Sequence, residues 1–451
     1  MKKSSIIKWF LLIALIMLFN ALLFNLLTKG TILNPWKQYI WFLMMVLYAK
    51  TIQKYRSMRH ARPVISCSVI VIFICTLLSI MSGFINNYNY VRMAFSYVSY
   101  LYGIPFILMP LIFWKSGGLR KLILCFVALA FVLDIGLIFD HLFGFFKIFR
   151  FGVSSDMWIE NRSMEYNRAT FLFESPTTLA ITMLYVHIWA MWAWLKKIEG
   201  LLLIFSLASL VLLLPAAVFT GSRQVLYIMG PFLFVGIIAS LKFSERRGKI
   251  PMVIQSTILA ILVFFFSNDI LTHSQNSTAL TKRLSNIEEE NTRKNRWMEG
   301  IHQLSPSNFE YWLAGHGIGS CFGQHAGNNE VVHSHFESTI LMTFYEGGLM
   351  AWFIFFSPIF MGLIFSIKTY PTMYSFFSIY FLLSTLFISA ISPNGLHFNS
   401  QICLYLNLGF LLLTPAFEYE NFSLKASRSS IALKYGSAYR KGVYKGGRWH
   451  A

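Results

Sequence analysis

His333, His335 and Glu337 stand at alternate positions of VVHSHFESTILMTFYEGG, residues 331–348, where a polar approach gives way to an apolar run. In an extended segment, residues two apart share a face, so these groups can act together. An imidazole gives or takes a proton near neutral pH. Glu337 can orient His335 or serve as the base itself. Two imidazoles are also a start on a metal site, but no Cys or Asp cluster completes one. A short motif has a plainer reading too, in which the histidines only cap the helix that follows.

Four arginines fall in external segments, before a span, between two spans or in the large loop. Arg168 lies in NRATFLFESP, Arg223 in TGSRQVLY, and Arg293 and Arg296 in NTRKNRWMEG. Arg223 occupies a very short connection, which holds its guanidinium at a membrane surface. Arginine donates in a fork that matches phosphate oxygens and stays charged at a partly dry site. The set suits a phosphorylated lipid headgroup at the outer leaflet. Separate snorkelling of each arginine toward headgroups is the alternative. LAGHGIGS, residues 313–320, supplies Gly315, Gly317 and Gly319. Its glycines can cradle a phosphate, or make a tight turn that folds a loop onto the helices; they form neither a Walker A nor a dinucleotide motif. Within the apolar runs stand Asp134, Asp140, His141 and His187. Ionisable residues there are functional candidates by default. Asp140 and His141 fall toward the external end of their run, in reach of the arginine cluster, whereas Asp134 is placed to pair with a neighbouring helix.

The elements that position these groups follow from composition. The chain has 451 residues, 56% hydrophobic and only 13% charged, against about a quarter charged in soluble proteins. Apolar runs of roughly 17–25 residues recur from end to end, the length of a membrane-crossing helix. A β-barrel would show alternating segments of ~10 residues instead. The sequence therefore predicts an all-α polytopic membrane protein of about twelve spans. They fall near 6–27, 36–52, 64–85, 94–114, 122–146, 171–195, 200–217, 224–241, 251–267, 338–367, 374–392 and 401–417. No small-residue cleavage pattern follows the first run, which reads as a span and not a signal peptide. Of Cys67, Cys75, Cys125, Cys321 and Cys403, all but Cys321 lie in apolar runs, where Cys is a small hydrophobe. No disulfide framework is implied.

Lys and Arg concentrate in the segments that are cytoplasmic if the N-terminus is, the positive-inside pattern. Both termini are then cytoplasmic. The net charge of +19 reports topology and not nucleic-acid binding. Four parts result: residues 1–267 with nine spans, a large periplasmic loop at 268–337, three spans at 338–417, and a basic cytoplasmic tail at 418–451. The tail is a solvated topogenic segment or touches anionic lipid. A loop as long as 268–337 is usually functional or disordered, and Trp297, Trp312 and LAGHGIGS speak for order in part of it.

The succession TGSR, TRKNRW, LAGHGIGS and a His-containing lead-in to a helix with EGGLM resembles the O-antigen polymerase and O-antigen ligase family of bacterial envelope glycosyltransferases. RATFLFESP also resembles segments of surface-polysaccharide polymerases. The resemblance covers about residues 160–370. It implies a GT-C-like membrane fold with a large periplasmic loop before the tenth span, in the bacterial inner membrane. It implies transfer of glycan from undecaprenyl pyrophosphate to a sugar hydroxyl, with no metal, nucleotide or other cofactor. By motif position, Arg223 and Arg293 hold the pyrophosphate and His333 or His335 serves the acceptor. Implied partners are the lipid-linked oligosaccharide and membrane lipids, with a chain-length regulator and a flippase as candidates. Ligases commonly show His followed by Asn, Ser or Gln, with a glycine at a fixed distance beyond. Here that distance falls on Phe344 or Glu346. That departure and RATFLFESP favour the polymerase over the ligase. A polysaccharide or lipid flippase and a structural scaffold are the rivals of other classes. The first would concentrate polar groups near the midplane, in paired halves; the second would not need the external arginines.

Overall fold

The structure is a computed structural model. It describes residues 8, 11–16, 36–55, 101–115, 118–143, 171, 173, 176–196, 200–220, 222–243, 309–315, 338–392 and 398–420, with isolated positions between 62 and 77 and between 295 and 302. Among the described residues every regular element is a helix. In chain order these are α1 (Trp36–Tyr55), a 3-10 turn (Ile104–Leu108) running into α2 (Met109–Lys115), α3 (Leu119–Phe143), α4 (Pro176–Leu195), α5 (Leu201–Phe219), α6 (Arg223–Phe243), α7 (Phe309–Ala314), α8 (Thr339–Thr369), α9 (Met373–Ile391) and α10 (Phe398–Glu420).

Five of these are long and apolar enough to cross a membrane: α3, α4, α5, α6 and α9. The two pieces of α8 make a sixth if they count as one span. The protein is thus a multi-pass membrane protein. Hydrocarbon offers the backbone no water, so an apolar run must satisfy its N–H and C=O groups within itself, and it closes as a helix. The 25 residues of α3 reach about 38 Å at 1.5 Å per residue, more than the ~30 Å of a hydrocarbon core. The spans expected near 6–27, 64–85 and 251–267 lie largely outside the described residues. So do most of the 268–337 loop and the tail beyond 420.

The bundle is organised around α4, which packs against α3, α5, α6, α9 and α10. Its stretch Thr178–Leu195 is entirely buried, whereas the other crossing helices bury only about half of theirs. Trp189 lies at the centre, 4.3 Å from the ring of Phe410, 4.9 Å from Tyr374 and 5.9 Å from Phe126. Outward faces are apolar as well: Phe139 on α3, Phe234 on α6 and Phe387 on α9 are exposed, as lipid-facing side chains should be. Polar side chains inside the bundle bond locally or across helices. Thr182 and Thr385 donate to carbonyls one turn back. Ser366, Ser378, Asn407 and Tyr374 form a chain of hydrogen bonds that ties α8, α9 and α10 together.

Two stretches expected as uninterrupted spans are broken. Near 94–114, Pro105 and Pro110 divide the segment into the 3-10 turn and α2, because proline lacks an N–H and its ring excludes the helical carbonyl four residues back. The same effect bends α8. Its pieces Thr339–Phe353 and Phe355–Thr369 meet at 44°, and the break falls at Ile354, four residues before Pro358. A second interruption lies at Gly348, whose φ of 62° and ψ of −162° are not helical.

Candidate functional site at one end of the bundle

Helix direction decides which motifs can meet. α6 runs antiparallel to α9: Lys242 hydrogen-bonds the Tyr370 hydroxyl, the rings of Phe243 and Phe376 lie 5.7 Å apart, and Tyr380 donates to the Ile228 carbonyl at 2.5 Å. Arg223 and Ser392 therefore lie at the same end. Ser392 in turn accepts from the N–H of Thr339 at 2.8 Å and from its hydroxyl at 2.6 Å. At the end of α3, His141 stacks on Phe219 at the end of α5, with ring centroids 4.3 Å apart and 8° between planes. The ends of α3, α5 and α9 and the starts of α6 and α8 thus form one mouth.

The TGSR connection is held by its own side chains. Thr220 Oγ1 donates to the Ala217 carbonyl at 2.6 Å and accepts the N–H of Ser222 at 3.2 Å. The Ser222 carbonyl then accepts from Leu226 N–H at 3.2 Å, opening α6 at Arg223. Asp140, only 1% exposed, accepts the N–H of Phe171 at 3.0 Å. Phe171 has a φ of 50°, strained for a bulky residue, and this hydrogen bond helps to hold it there. Asp140 is therefore engaged with the backbone leading into α4. His141 is half-buried, and its ring lies over Phe219, the residue that precedes TGSR.

The start of α8 is anchored rather than loose. Ser338, directly after Glu337, accepts Leu341 N–H at 3.4 Å and donates to the Ser389 carbonyl at 3.3 Å. Further in, α7 lies along α8, with Trp312 edge-on to Phe344 at 5.2 Å. Gly315 follows α7 with a φ of 67°, and a Cβ there would stand 2.5 Å from the backbone nitrogens of Gly347 and Gly348. The first glycine of LAGHGIGS thus lies directly against the backbone of EGG, which leaves no room for a side chain at position 315. Glu346, 1% exposed, is buried at this junction, eight residues into α8, or roughly 12 Å. Sequence reasoning did not single it out, although a carboxylate inside an apolar run was the available signal.

Of the expected site residues, Arg223 opens α6, and its side chain lies outside what the structure describes. Arg168, Arg293, Arg296, His333, His335 and Glu337 lie outside the described residues. The structure brings together the helix ends that flank Arg223 and follow Glu337, and adds Asp140 and His141 to the same mouth. Asp134 and His187 pair with each other across α3 and α4. Among the described residues, no three His, Cys, Asp or Glu side chains gather as metal ligands would. No protein-family model matches the chain, and no curated protein matches it either.

Proposed function

We propose that this protein is a bacterial inner-membrane polymerase of a surface polysaccharide, with about twelve spans in a GT-C-like arrangement and its reaction face on the periplasmic side. It transfers glycan from undecaprenyl pyrophosphate to a hydroxyl of a second lipid-linked repeat unit. The observation that carries this proposal is the common mouth: the TGSR turn and the anchored start of α8 lie at one end of the bundle. An arginine for a diphosphate and a titratable group for an acceptor hydroxyl belong at one such place.

The chemistry is displacement at an anomeric carbon. The bond from that carbon to the pyrophosphate oxygen breaks, and the acceptor oxygen forms the new bond with inversion. Pyrophosphate is a good leaving group, so positioning and charge stabilisation dominate. Arg223, with Arg168, Arg293 and Arg296, neutralises the charge growing on the bridging oxygen, in the place a metal ion takes in other transferases. His335, His333 or Glu337 takes the proton of the acceptor hydroxyl.

The test is a reaction with purified protein in detergent and a defined lipid-linked repeat unit. The expected result is a lengthened glycan and released polyprenyl pyrophosphate, insensitive to chelator. No release, with the substrate moved across a vesicle membrane instead, refutes the proposal. That second outcome belongs to a carrier, whose class the broken helix α8 fits. Within the envelope family, a ligase would act on lipid A–core. Deletion then leaves uncapped core with accumulated lipid-linked polymer, whereas loss of a polymerase leaves core capped with a single unit.

A further inference from the structure

Asp134 and His187 meet at the centre of the bundle, and neither has exposed surface. Asp134 lies nine residues from the end of α3, roughly 13 Å below the mouth. His187 Nδ1 is 2.7 Å from the Met183 carbonyl oxygen one turn back on α4, and Nε2 is 2.9 Å from Asp134 Oδ2. A carbonyl only accepts, so Nδ1 carries a hydrogen. If the imidazole is neutral, Nε2 is an acceptor and the carboxyl must donate to it. If the imidazole is protonated on both nitrogens, the carboxylate accepts. Each description places one proton between Nε2 and Oδ2, and each gives the pair a net charge of zero. Removing that proton would set lone pair against lone pair and leave a net charge where no water can reach.

We propose that Asp134 and His187 are a site for one structural proton, a net-neutral clasp that fixes α3 against α4. Among the described residues Asp134 Oδ1 has no hydrogen-bond partner, which makes the proposal testable with an isostere. In Asp134→Asn the amide nitrogen takes the place of Oδ2 and donates one of its two hydrogens to Nε2, while the amide oxygen takes the place of Oδ1 and loses no partner. The clasp is a structural role and is independent of the proposed transferase activity.

The experiment compares melting of the full-length protein in detergent for wild type, D134N, D134L and D134L/H187F. D134N should melt near wild type and clearly above D134L, short of wild type by no more than the cost of the amide's second hydrogen. D134L, which leaves Nε2 unpaired, should melt lower by roughly 2–4 °C or more. D134L/H187F should recover part of that loss, because the orphaned imidazole is gone. The clasp is refuted if D134N melts as low as D134L, or if the double variant melts lower than D134L by the full cost of a second lesion. Should D134L yield no folded protein, D134N still decides: melting near wild type supports the clasp, and low melting or no folded protein overturns it.

Discussion

The centre of this bundle and its mouth are built on opposite principles. At the centre, α4 is an unbroken helix buried on every side, with Trp189 among Phe126, Tyr374 and Phe410. Its ionisable side chain His187 is matched to Asp134. At the mouth, helix ends are capped by Ser338 and Thr220, Phe171 is held at positive φ, and α8 is interrupted at Gly348 within a few turns of its start. Helices that never break can only pack. Glu346 is buried close to the Gly348 interruption, and TGSR and the residue that follows Glu337 both lie at this end. The contrast sets a packed centre against the end where the proposed reaction would take place.

That separation can be broken from either side. The largest effect should come from the centre: Trp189→Ala leaves a cavity that costs about 3 kcal/mol, read as lost thermal stability, and a stable W189A protein would deny α4 its central role. At the mouth the lesion should be functional instead. Arg223→Ala should cut release of lipid pyrophosphate by about 10²-fold while melting stays at the wild-type value; unchanged release would remove the clamp. Smaller is the effect of Gly315→Ala, which must shift the backbone of Gly347 and Gly348 and adopt a positive φ. A cost of about 1–3 kcal/mol should appear as easier proteolysis next to α7, and wild-type resistance would mean that the glycine contact is dispensable. Smallest, Thr339→Val loses the hydroxyl bond to Ser392 but keeps the N–H bond, for about 1 kcal/mol in melting experiments.

Much of the helical architecture was legible because one cause dominates it. An apolar run in lipid has no stable alternative to a helix, so the runs near 122–146, 200–217, 224–241 and 374–392 correspond to α3, α5, α6 and α9 within a few residues. The interruptions were harder to read. Pro358 and the two glycines of EGG were visible as residues, but whether a helix bends or breaks at them depends on what packs alongside, here Gly315 and α7. The Asp134–His187 pair joins positions 53 residues apart, and nothing local in either run identifies the partner, although pairing of Asp134 with a neighbouring helix was an available expectation. Most of the candidate site was legible only as chemistry. The types and spacing of Arg168, Arg223, Arg293, Arg296, His333, His335 and Glu337 suggest a diphosphate and an acceptor, but their arrangement depends on a long loop whose contacts no periodicity encodes. Asp140 and His141 gained weight only when the ends of α3 and α5 were found together.

The account depends most on the mouth facing out of the cell. Thiol labelling tests this directly, in a protein with Cys67, Cys75, Cys125, Cys321 and Cys403 replaced and one new cysteine at an exposed position. Phe143→Cys marks the mouth at the end of α3, and Leu201→Cys marks the opposite end at the start of α5. A membrane-impermeant reagent applied to intact spheroplasts should label the cysteine at 143 and reach the one at 201 only after permeabilisation. Labelling of 201 alone from outside would turn the mouth toward the cytosol and contradict the proposed reaction.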